Sequence, residues 1–554
     1  MYWGTRSLAV LTLTMVGGMT GAGTLNADPP ARIGRVSYLT GSVSLRPGSV
    51  DVWMPATLSY PLTTGTELWS DNNARAEVHF GGSAVWLGPK TLLDIQSLGN
   101  SETQLRLTQG SLYVRVPRVG RSGSYEIDTP TGALSLIQDG VYRVDIAPDG
   151  RRSTITVRQG RAQVTTSGGT MELAAGQSLL VADGNASVAA PMVAVATDGW
   201  ELWAQSRYQA ADQSPSLNYV SPDLVGFEAL DDYGTWQTDA AYGPVWVPDV
   251  SADWAPYRFG FWNWVDPWGW TWIDDAPWGF APSHYGRWAF LENRWAWTPG
   301  AIVDQSVYAP ALVGFLGGSG LDLSVSLGNG GAVGWFPLAP GEIYIPSFRV
   351  SQDYFREINR SSVKVTDMDF SRIDPARISY RYRSIPHAVT VVSKETFTSG
   401  APVSKAVLHV PPGALTRATV LGTTVPVRPD RQHVLPVSMS RSASRPPTAA
   451  VTRQVVTSRS APPAGTTGEE RRRASSGKGG AQQAAQQNPI ERQQLLDRQA
   501  RERADLEQRQ QRELNKVQSP DLRQQALQRH AQEQADLARR HDTELQGFDR
   551  KRRG

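Results

Sequence analysis

The fold of this chain is decided around the stretch from Gly260 to Asp274, which reads GFWNWVDPWGWTWID. Its tryptophans alternate with other residues, and a spacing of two places side chains on one face of a β-strand. The two alternating runs are separated by Asp266 and Pro267, a dipeptide typical of turns. The stretch therefore predicts a β-hairpin with a row of indoles along one face.

The same pattern recurs with a period of about 26 residues. Trp236, Trp262 and Trp288 lie 26 residues apart, and twelve of the 19 tryptophans fall between Trp236 and Trp297. Repeats of this length usually form units that stack on their neighbours. We therefore predict a ladder of aromatic β-hairpins.

Two interpretations of these tryptophans compete. Only six Val, Ile or Leu residues lie between Gly234 and Pro299, so the indoles could replace an aliphatic core. Alternatively, some of them form an exposed platform that stacks flat ligands such as sugar rings or peptidoglycan. Most aromatic stripes are packing, which favours the core. The candidate ligand platform consists of Trp262, Trp264, Trp270, Trp272, Trp288, Tyr285, His284 and Asp275.

The first 27 residues are typical of a secretory signal peptide. Arg6 provides the positive charge, Leu8–Val16 the short apolar region, and Ala27 a small residue at the cleavage site. No run of about 20 apolar residues predicts a transmembrane span. We therefore expect an exported protein that starts near Asp28 and is periplasmic or extracellular.

Composition restricts the chemistry further. The chain contains no cysteine, which excludes disulfides, thiol nucleophiles and cysteine-ligated metals. The net charge of +3 hides a basic C-terminal part, because residues 437–554 contain 23 Lys and Arg against 14 Asp and Glu. Outside the cytoplasm, a basic tail indicates anionic envelope surfaces rather than nucleic acid.

Residues 31–190 carry short alternating strands separated by glycine-centred turns. Several motifs follow one another in this region: Gly34-Arg-Val36, Thr40-Gly41-Ser-Val43, Leu62-x-x-Gly65-x-x-Leu68, Leu105-x-Leu107-x-x-Gly110-x-Leu112, Gly140-x-Tyr142-x-Val144 and Val157-x-x-Gly160. In their order and spacing they resemble the periplasmic domain of FecR-type proteins. The best-known member of that family is an iron-dicitrate sensor that regulates a sigma factor. Because only a few residues precede the signal peptide, we do not expect the family's cytoplasmic anti-sigma segment here.

A second resemblance covers the tryptophan-rich block. Its motifs include Trp254-Ala-Pro256-Tyr257, Asp275-Ala-Pro277-Trp278-Gly279, His284-Tyr285-Gly286-Arg287-Trp288 and Gly334-Trp335-Phe336-Pro337. They are similar to a domain of unknown function found after FecR-type domains in secreted bacterial proteins. This resemblance implies an architecture and no established activity.

The C-terminal part changes character twice. Residues 437–488 are rich in Ser, Thr, Pro, Ala and Gln, a composition typical of a disordered linker. Gln493–Leu514 and Gln524–Leu545 are similar to each other and favour helix. Ser519 and Pro520 begin the second helix in the manner of an N-cap and a first-turn proline. We predict a helical hairpin or coiled coil with a thin apolar stripe.

No enzyme motif is present in the sequence. None of the seven histidines has metal-ligand spacing to another, and His284 is the single one inside the aromatic block. Asp274 and Asp275 are adjacent, so on a strand they point to opposite faces and do not form a glycosidase pair. We expect a turn-capping role for them, packing or a turn hydrogen bond for His284, and neither metal nor cofactor.

These observations predict a mainly β protein in five parts: 1–27 signal peptide, 28–195 FecR-like β domain, 196–400 Trp/Tyr-rich β domain, 401–488 extended segment and disordered linker, and 489–554 basic helical hairpin. The predicted function is non-enzymatic, as an envelope ligand-binding, sensor or scaffold module. The expected partners are peptidoglycan, polysaccharide, a membrane protein, or a second copy through the C-terminal helices. The alternative is a carbohydrate-active or peptidoglycan-remodelling enzyme built on the aromatic domain, which would need two carboxylates about 5–10 Å apart in a cleft.

Overall fold

The structure is a computed structural model. It describes residues 28–119, 123–182, 192–317, 331–363, 373, 377–385, 387–422, 425, 427 and 443–458, and seven residues between 529 and 540. The predicted signal peptide, 1–27, lies outside this part of the chain. Two compact units are present, Met1–Ala461 and Pro462–Gly554. The prediction of a mainly β protein is confirmed.

Two linked β-sheets make up the FecR-like part of the first unit. Their strands are β1 Gly34–Thr40, β2 Val43–Arg46, β3 Met54–Pro55, β4 Pro61–Leu62, β5 Glu67–Ser70, β6 Arg75–Phe80, β7 Ser83–Leu87, β8 Thr91–Leu98, β9 Glu102–Val116, β10 Ser124–Asp128, β11 Ala133–Leu136, β12 Gly140–Ile146, β13 Arg152–Gln159, β14 Arg161–Thr166, β15 Gly169–Ala174, β16 Gln177–Ala182 and β17 Met192–Val193. One hydrophobic core collects the inward side chains of both sheets.

Strand β9 belongs to both sheets. Its first half pairs with β8 and, in parallel, with β10, whereas its second half pairs with β7 and β12. The change of sheet falls at Gly110, whose φ of +89° favours glycine. A Cβ at this position would also lie 2.3 Å from the Thr91 hydroxyl oxygen. The glycine motif of the sequence therefore marks the crossing point of the FecR-like fold.

Helix α1, Gly199–Asp212, lies on the FecR-like sheets. The Asp198 side chain caps its first turn by accepting from the Glu201 backbone N–H. The helix side chains Trp200, Trp203 and Tyr208 pack against Trp86, Tyr113 and Val141 of the sheets. Glu201 is fully buried and accepts from two arginines of the sheet. The structure thus places residues 199–212 with the FecR-like part, although the sequence assigned them to the aromatic part.

The three predicted hairpins are present in the aromatic part. They are β18 Gly234–Asp239 with β19 Gly243–Pro248, β20 Gly260–Val265 with β21 Gly269–Asp274, and β22 Arg287–Leu291 with β23 Arg294–Thr298. Tryptophans face each other across the strands in each hairpin: Trp236 with Trp246, Trp262 with Trp272, Trp264 with Trp270, and Trp288 with Trp297. The first and third hairpins share one four-stranded sheet.

The middle hairpin, β20–β21, is separate from that sheet and packs in two directions. Trp262 and Trp272 lie in the aromatic core. Phe261 and Ile273, on the opposite face, belong to the core of the FecR-like sheets. Asn263 donates from Nδ2 to the Tyr60 hydroxyl at 3.2 Å. This hairpin therefore joins the two predicted domains within one compact unit.

A further four-stranded sheet completes the aromatic core. It contains β24 Val313–Gly317, β25 Ala332–Pro337, β26 Thr390–Ser393 and β27 Thr419–Gly422, in the order β26-β25-β24-β27. Short helices accompany it: α2 Phe280–His284, α3 Gln352–Asn359, α4 Lys394–Thr398, α5 Pro412–Arg417 and α6 Thr448–Val451. Among the described helices, none has the length and hydropathy that crossing a bilayer requires.

The prediction of a disordered linker is wrong for residues 443–458. They lie against the FecR-like sheets, and helix α6 is part of this segment. The cause is a set of hydrogen bonds to main-chain groups together with the burial of Pro446 and Ala450, which composition does not reveal. The remainder of the 437–488 linker lies outside the described residues. In the second unit the described residues, such as His530 and Leu537, are helical, and the rest of the predicted helical hairpin lies outside them.

Candidate functional site

The aromatic block forms a core. Of its twelve tryptophans nine are buried: Trp246, Trp262, Trp268, Trp270, Trp272, Trp278, Trp288, Trp295 and Trp297. Trp262 lies at the centre, with ring centroids 5.2–5.5 Å from those of Trp272, Phe315, Trp335 and Phe397. Edge-to-face and tilted pairs at these distances stabilise aromatic clusters. The interpretation of the indoles as core therefore accounts for most of them.

The platform hypothesis needs correction for the buried members of its set. Trp262, Trp270, Trp272, Trp288, Tyr285 and His284 are each at most 8% exposed, so they present no open face to a ligand. Their polar atoms are in part used internally, as Trp270 donates to the Val427 carbonyl at 2.7 Å. Trp264 is half-buried and Asp275 is exposed. Only these two of the eight candidates remain accessible.

His284 lies inside the core, as the expected packing role requires. Its Nδ1 lies 2.8 Å from the Ala309 carbonyl oxygen, and its ring packs against Phe280 and Tyr308. Burial lowers its pKa to about 3, so the imidazole is neutral and Nδ1 donates the proton. A neutral histidine held in this way contributes to packing rather than to acid–base chemistry.

Asp274 has the turn role that its position predicts. Asp274 is buried and accepts from the Ala276 backbone N–H at 3.0 Å and from Trp272 Nε1 at 2.9 Å. Burial raises its pKa to about 7. Asp275 lies on the surface. The two carboxylates therefore do not converge on a common cleft.

An open cavity of about 370 Å³ lies between the FecR-like sheets and the middle hairpin. We call it the seam cavity. Trp264, Asp266 and Trp268 line it on the side of the hairpin, and Tyr60, Ser49, Thr63, Thr64 and Thr66 line it on the side of the FecR-like sheets. Hydroxyls both donate and accept hydrogen bonds. An aromatic wall facing several such groups is the usual composition of a small-molecule site.

The indole of Trp264 is held in position at the cavity. Its Nε1 donates to Asp266 Oδ1 at 2.9 Å, and its ring lies edge-on to that of Trp270 at a centroid distance of 5.6 Å. The fixed indole keeps part of its surface accessible, because the residue is only half-buried. Asp266 is the single carboxylate among the described residues that line this cavity. A binding wall is therefore present without a second carboxylate for hydrolysis.

Arg32 adds a positive charge to the same place. It lines the seam cavity and also a second cavity of about 300 Å³, which Phe80, Asp223 and Tyr285 help to enclose. Its Nη1 donates to the Gly99 carbonyl at 3.3 Å. Burial lowers the pKa of this guanidinium, since the attraction of Tyr125 and Asp223 is the smaller effect. A guanidinium remains charged at neutral pH, so the cavity can receive an anionic group.

Beside these cavities, a buried charge network joins the FecR-like and aromatic parts. Glu228, in the turn Phe227–Ala229, accepts from Arg35 Nη1 at 2.8 Å and lies 3.2 Å from His79 Nδ1. Glu77 accepts from His79 Nε2 at 2.7 Å, from Trp86 Nε1 at 3.0 Å and from Arg207. These contacts outweigh the effect of burial. They raise the pKa of His79 to about 9 and lower that of Glu77 to about 2.

Sequence reasoning did not find the network or the seam cavity. Glu77 is close to His79 in the sequence, but Glu228, which contacts His79, and Arg207, which contacts Glu77, lie far from them along the chain. In the part of the chain that the structure describes, no group of three or more acidic or histidine side chains could hold a metal ion. The single sequence signal for the cavity was Trp264, in the alternating run of the middle hairpin.

Comparisons with known proteins agree with both resemblances. Residues 66–163 match the family described as FecR protein, and residues 227–342 match a family of unknown function, DUF6600. The two predicted resemblances are thereby confirmed. No curated protein matches the chain.

Solved structures with detectable similarity include two of a protein from Parabacteroides distasonis described as a "putative anti-sigma factor". The first is 15% identical with a TM-score of 0.22, and covers 29% of this chain and 79% of the other. The second is 14% identical with a TM-score of 0.22, and covers 33% of this chain and 99% of the other.

Proposed function

We propose that this protein, in which a FecR-type segment precedes a DUF6600 segment, is a non-enzymatic envelope module. It binds a saccharide in the seam cavity. The observation that carries the proposal is the half-buried Trp264, which lines a cavity of about 370 Å³ together with several hydroxyl residues. Indoles offer a flat apolar face with one polar end, which suits the apolar face of a sugar ring. Arg32 favours saccharides that carry a carboxylate, as peptidoglycan does.

The sensor or scaffold role is supported by the origin of the two cavity walls in different parts of the first unit. Its two walls come from the FecR-like sheets and from the middle hairpin, whose other side chains lie in both cores. A ligand that contacts both walls binds the joined state more tightly than a separated state, and so stabilises it. The proposal places the protein in the periplasm or outside the cell, with peptidoglycan or another envelope polysaccharide as partner. The basic C-terminal part would add electrostatic attraction to anionic envelope material.

The enzyme alternative receives less support from the same geometry. Inverting and retaining glycosidases use two carboxylates about 5–10 Å apart. Within the described lining of the seam cavity Asp266 stands alone, and its Oδ1 already accepts from the Trp264 indole. Asp274, whose raised pKa would suit a general acid, is buried among Trp272, Ala276 and Ser283.

Replacing Trp264 with alanine is expected to weaken saccharide binding about tenfold or more, since the stacking face is lost. The measurement is isothermal titration of the full chain with soluble peptidoglycan fragments and with chitohexaose. Trp203→Ala is the matched control, because this half-buried tryptophan packs on Tyr38 and does not line the cavity. A folded Trp264→Ala protein that binds both probes as tightly as the unchanged chain would contradict the proposal.

A further inference from the structure

Residues 443–458 lie along the FecR-like sheets although their composition is that of a linker. We call this segment the strap. It contains the short helix α6 and runs from the neighbourhood of β5 and β8 to the turn that follows β10. It contributes little apolar surface of its own. Individual hydrogen bonds and a few buried side chains must therefore hold the strap in place.

The first half of the strap is held by one hydroxyl and one small apolar side chain. Ser444 donates from Oγ to Asp71 Oδ2 at 2.6 Å and accepts from Trp69 Nε1 at 3.3 Å. Ala450 is fully buried against Trp69 and Leu92. Its neighbour Ala449, in the same helix, is exposed. Adjacent alanines thus differ completely in environment, which marks Ala450 as an anchor.

Two arginines hold the second half of the strap. One belongs to the FecR-like sheets and the other to the strap, and each donates hydrogen bonds to main-chain carbonyls of the opposite segment. Arg106 of β9 donates from Nη2 to the carbonyls of Val451 and Arg453 at 3.0 and 2.6 Å. Arg453 of the strap donates in return to the carbonyls of Thr108 at 2.6 Å and Pro148 at 3.2 Å. Guanidinium groups suit this role because their donors are arranged in a rigid fork.

The strap then forms one antiparallel bridge with Thr129, the residue that follows β10. The Val456 backbone N–H donates to the Thr129 carbonyl at 2.9 Å, and the pairing is antiparallel. Ser458 donates its backbone N–H to Glu126 Oε1 at 3.0 Å. Main-chain bonds with a few side-chain anchors are the usual basis of peptide recognition by a sheet.

We propose that this groove is a peptide-binding site of the FecR-like sheets, filled by the chain's own strap and able to take the strap of a second copy in exchange. Only Pro446 and Ala450 are buried among the described strap residues, so the apolar area is small and the contact is weak enough to open. The strap of a second copy has the identical sequence, so it satisfies the same anchors. Exchange of identical segments is a general route to dimers.

The strap lies immediately before the second compact unit, Pro462–Gly554, in the sequence. An exchanged strap therefore ties each C-terminal unit to the FecR-like sheets of the other copy. A dimer joined in this way can form without any contact between the predicted C-terminal helices of the two copies. The groove thus offers a route to self-association that is independent of the predicted coiled coil.

The test uses the full chain and a fluorescent peptide of residues 443–458. Ala450→Asp introduces an unpaired charge at the buried anchor and should release the chain's own strap, so that the labelled peptide binds the groove. The unchanged chain and Ala449→Asp should bind the peptide at least tenfold more weakly, because their own strap is tethered at high effective concentration. A folded Ala450→Asp protein that does not bind the peptide would overturn the proposal, and so would equal binding of a peptide that itself carries Ala450→Asp.

A second measurement addresses the other copy. Two differently tagged full-length chains should co-purify after mixing at high concentration, whereas two Ala450→Asp chains should not. Co-purification of the Ala450→Asp chains to the same extent would assign self-association to the C-terminal helices and overturn exchange. If Ala450→Asp does not fold, Arg453→Ala replaces it, with exposed Arg445→Ala as the matched control.

Discussion

Replacing Trp262 with alanine is expected to lower the free energy of unfolding by about 3–5 kcal/mol, the usual cost of truncating a large buried aromatic residue. Trp262 is 1% exposed and touches the rings of Trp272, Phe315, Trp335 and Phe397. Its neighbour Phe261 lies in the core of the FecR-like sheets. We therefore expect both parts of the first unit to melt together at a lower temperature, as measured by calorimetry and tryptophan fluorescence.

Trp203→Ala serves as the control for this prediction as well. That indole is half-buried on helix α1, packs against Tyr38 and lies beside Arg75. Its loss should cost clearly less than the loss of Trp262. If Trp262→Ala lowered the melting temperature of the aromatic part alone and left the FecR-like sheets unchanged, the joining role of the middle hairpin would be wrong.

Replacing Glu228 with alanine is expected to cost about 3–5 kcal/mol, because it leaves the buried Arg35 guanidinium without its carboxylate partner and His79 with Glu77 alone. Arg35 is 2% exposed and His79 is 6% exposed, and both contact Glu228 Oε1. Chemical denaturation of the full chain measures the loss. Glu172→Ala is the matched control, since its pair with Arg161 at 2.8 Å is about half exposed and such pairs contribute about 0–1 kcal/mol. Equal losses from the two variants would contradict a stabilising role of the network.

The network also predicts a pH dependence. The pKa of His79 is raised from 6.5 to about 9, so its contribution is complete below pH 6.5 and is lost as the pH rises towards 9. The pKa of Glu77 is lowered from 4.5 to about 2, so its contribution is complete above pH 4.5 and is lost as the pH falls towards 2. The network therefore stabilises the fold most between pH 4.5 and 6.5.

Two other buried groups change stability with pH in a different sense. The pKa of His284 is about 3 in the folded chain, so below pH 6.5 only the unfolded chain binds a proton there. Stability from this group therefore falls as the pH falls from 6.5 towards 3. The raised pKa of Asp274 lowers stability progressively as the pH rises from 3.8 to about 7, and the full cost remains above that pH. The contribution of His79 is isolated by comparing the unchanged chain with His79→Gln between pH 6.5 and 9. A variant whose melting temperature still falls as steeply in that window would contradict the assignment.

The mainly β character, the three aromatic hairpins and the resemblance to FecR-type proteins could all be predicted from the amino-acid sequence. These features are local or periodic. Alternation of Trp262 and Trp264 fixes which residues share a strand face, and Gly110 marks a backbone conformation that other residues adopt at a cost. The same reasoning gave the turn role of Asp274 and the packing role of His284.

Which of the indoles remain accessible, and which residues surround them, depends on long-range packing that the sequence does not reveal. Alternation places Trp262 and Trp264 on the same face, yet one is at the centre of the core and the other at a cavity, because the neighbouring elements cover the hairpin unevenly. Glu228, which contacts His79, and Arg207, which contacts Glu77, lie more than a hundred residues from those partners, so no spacing along the chain could reveal the network they complete. The strap was hidden for a related reason. Its stability comes from main-chain hydrogen bonds to Arg106 and from the burial of Ala450, and composition records neither.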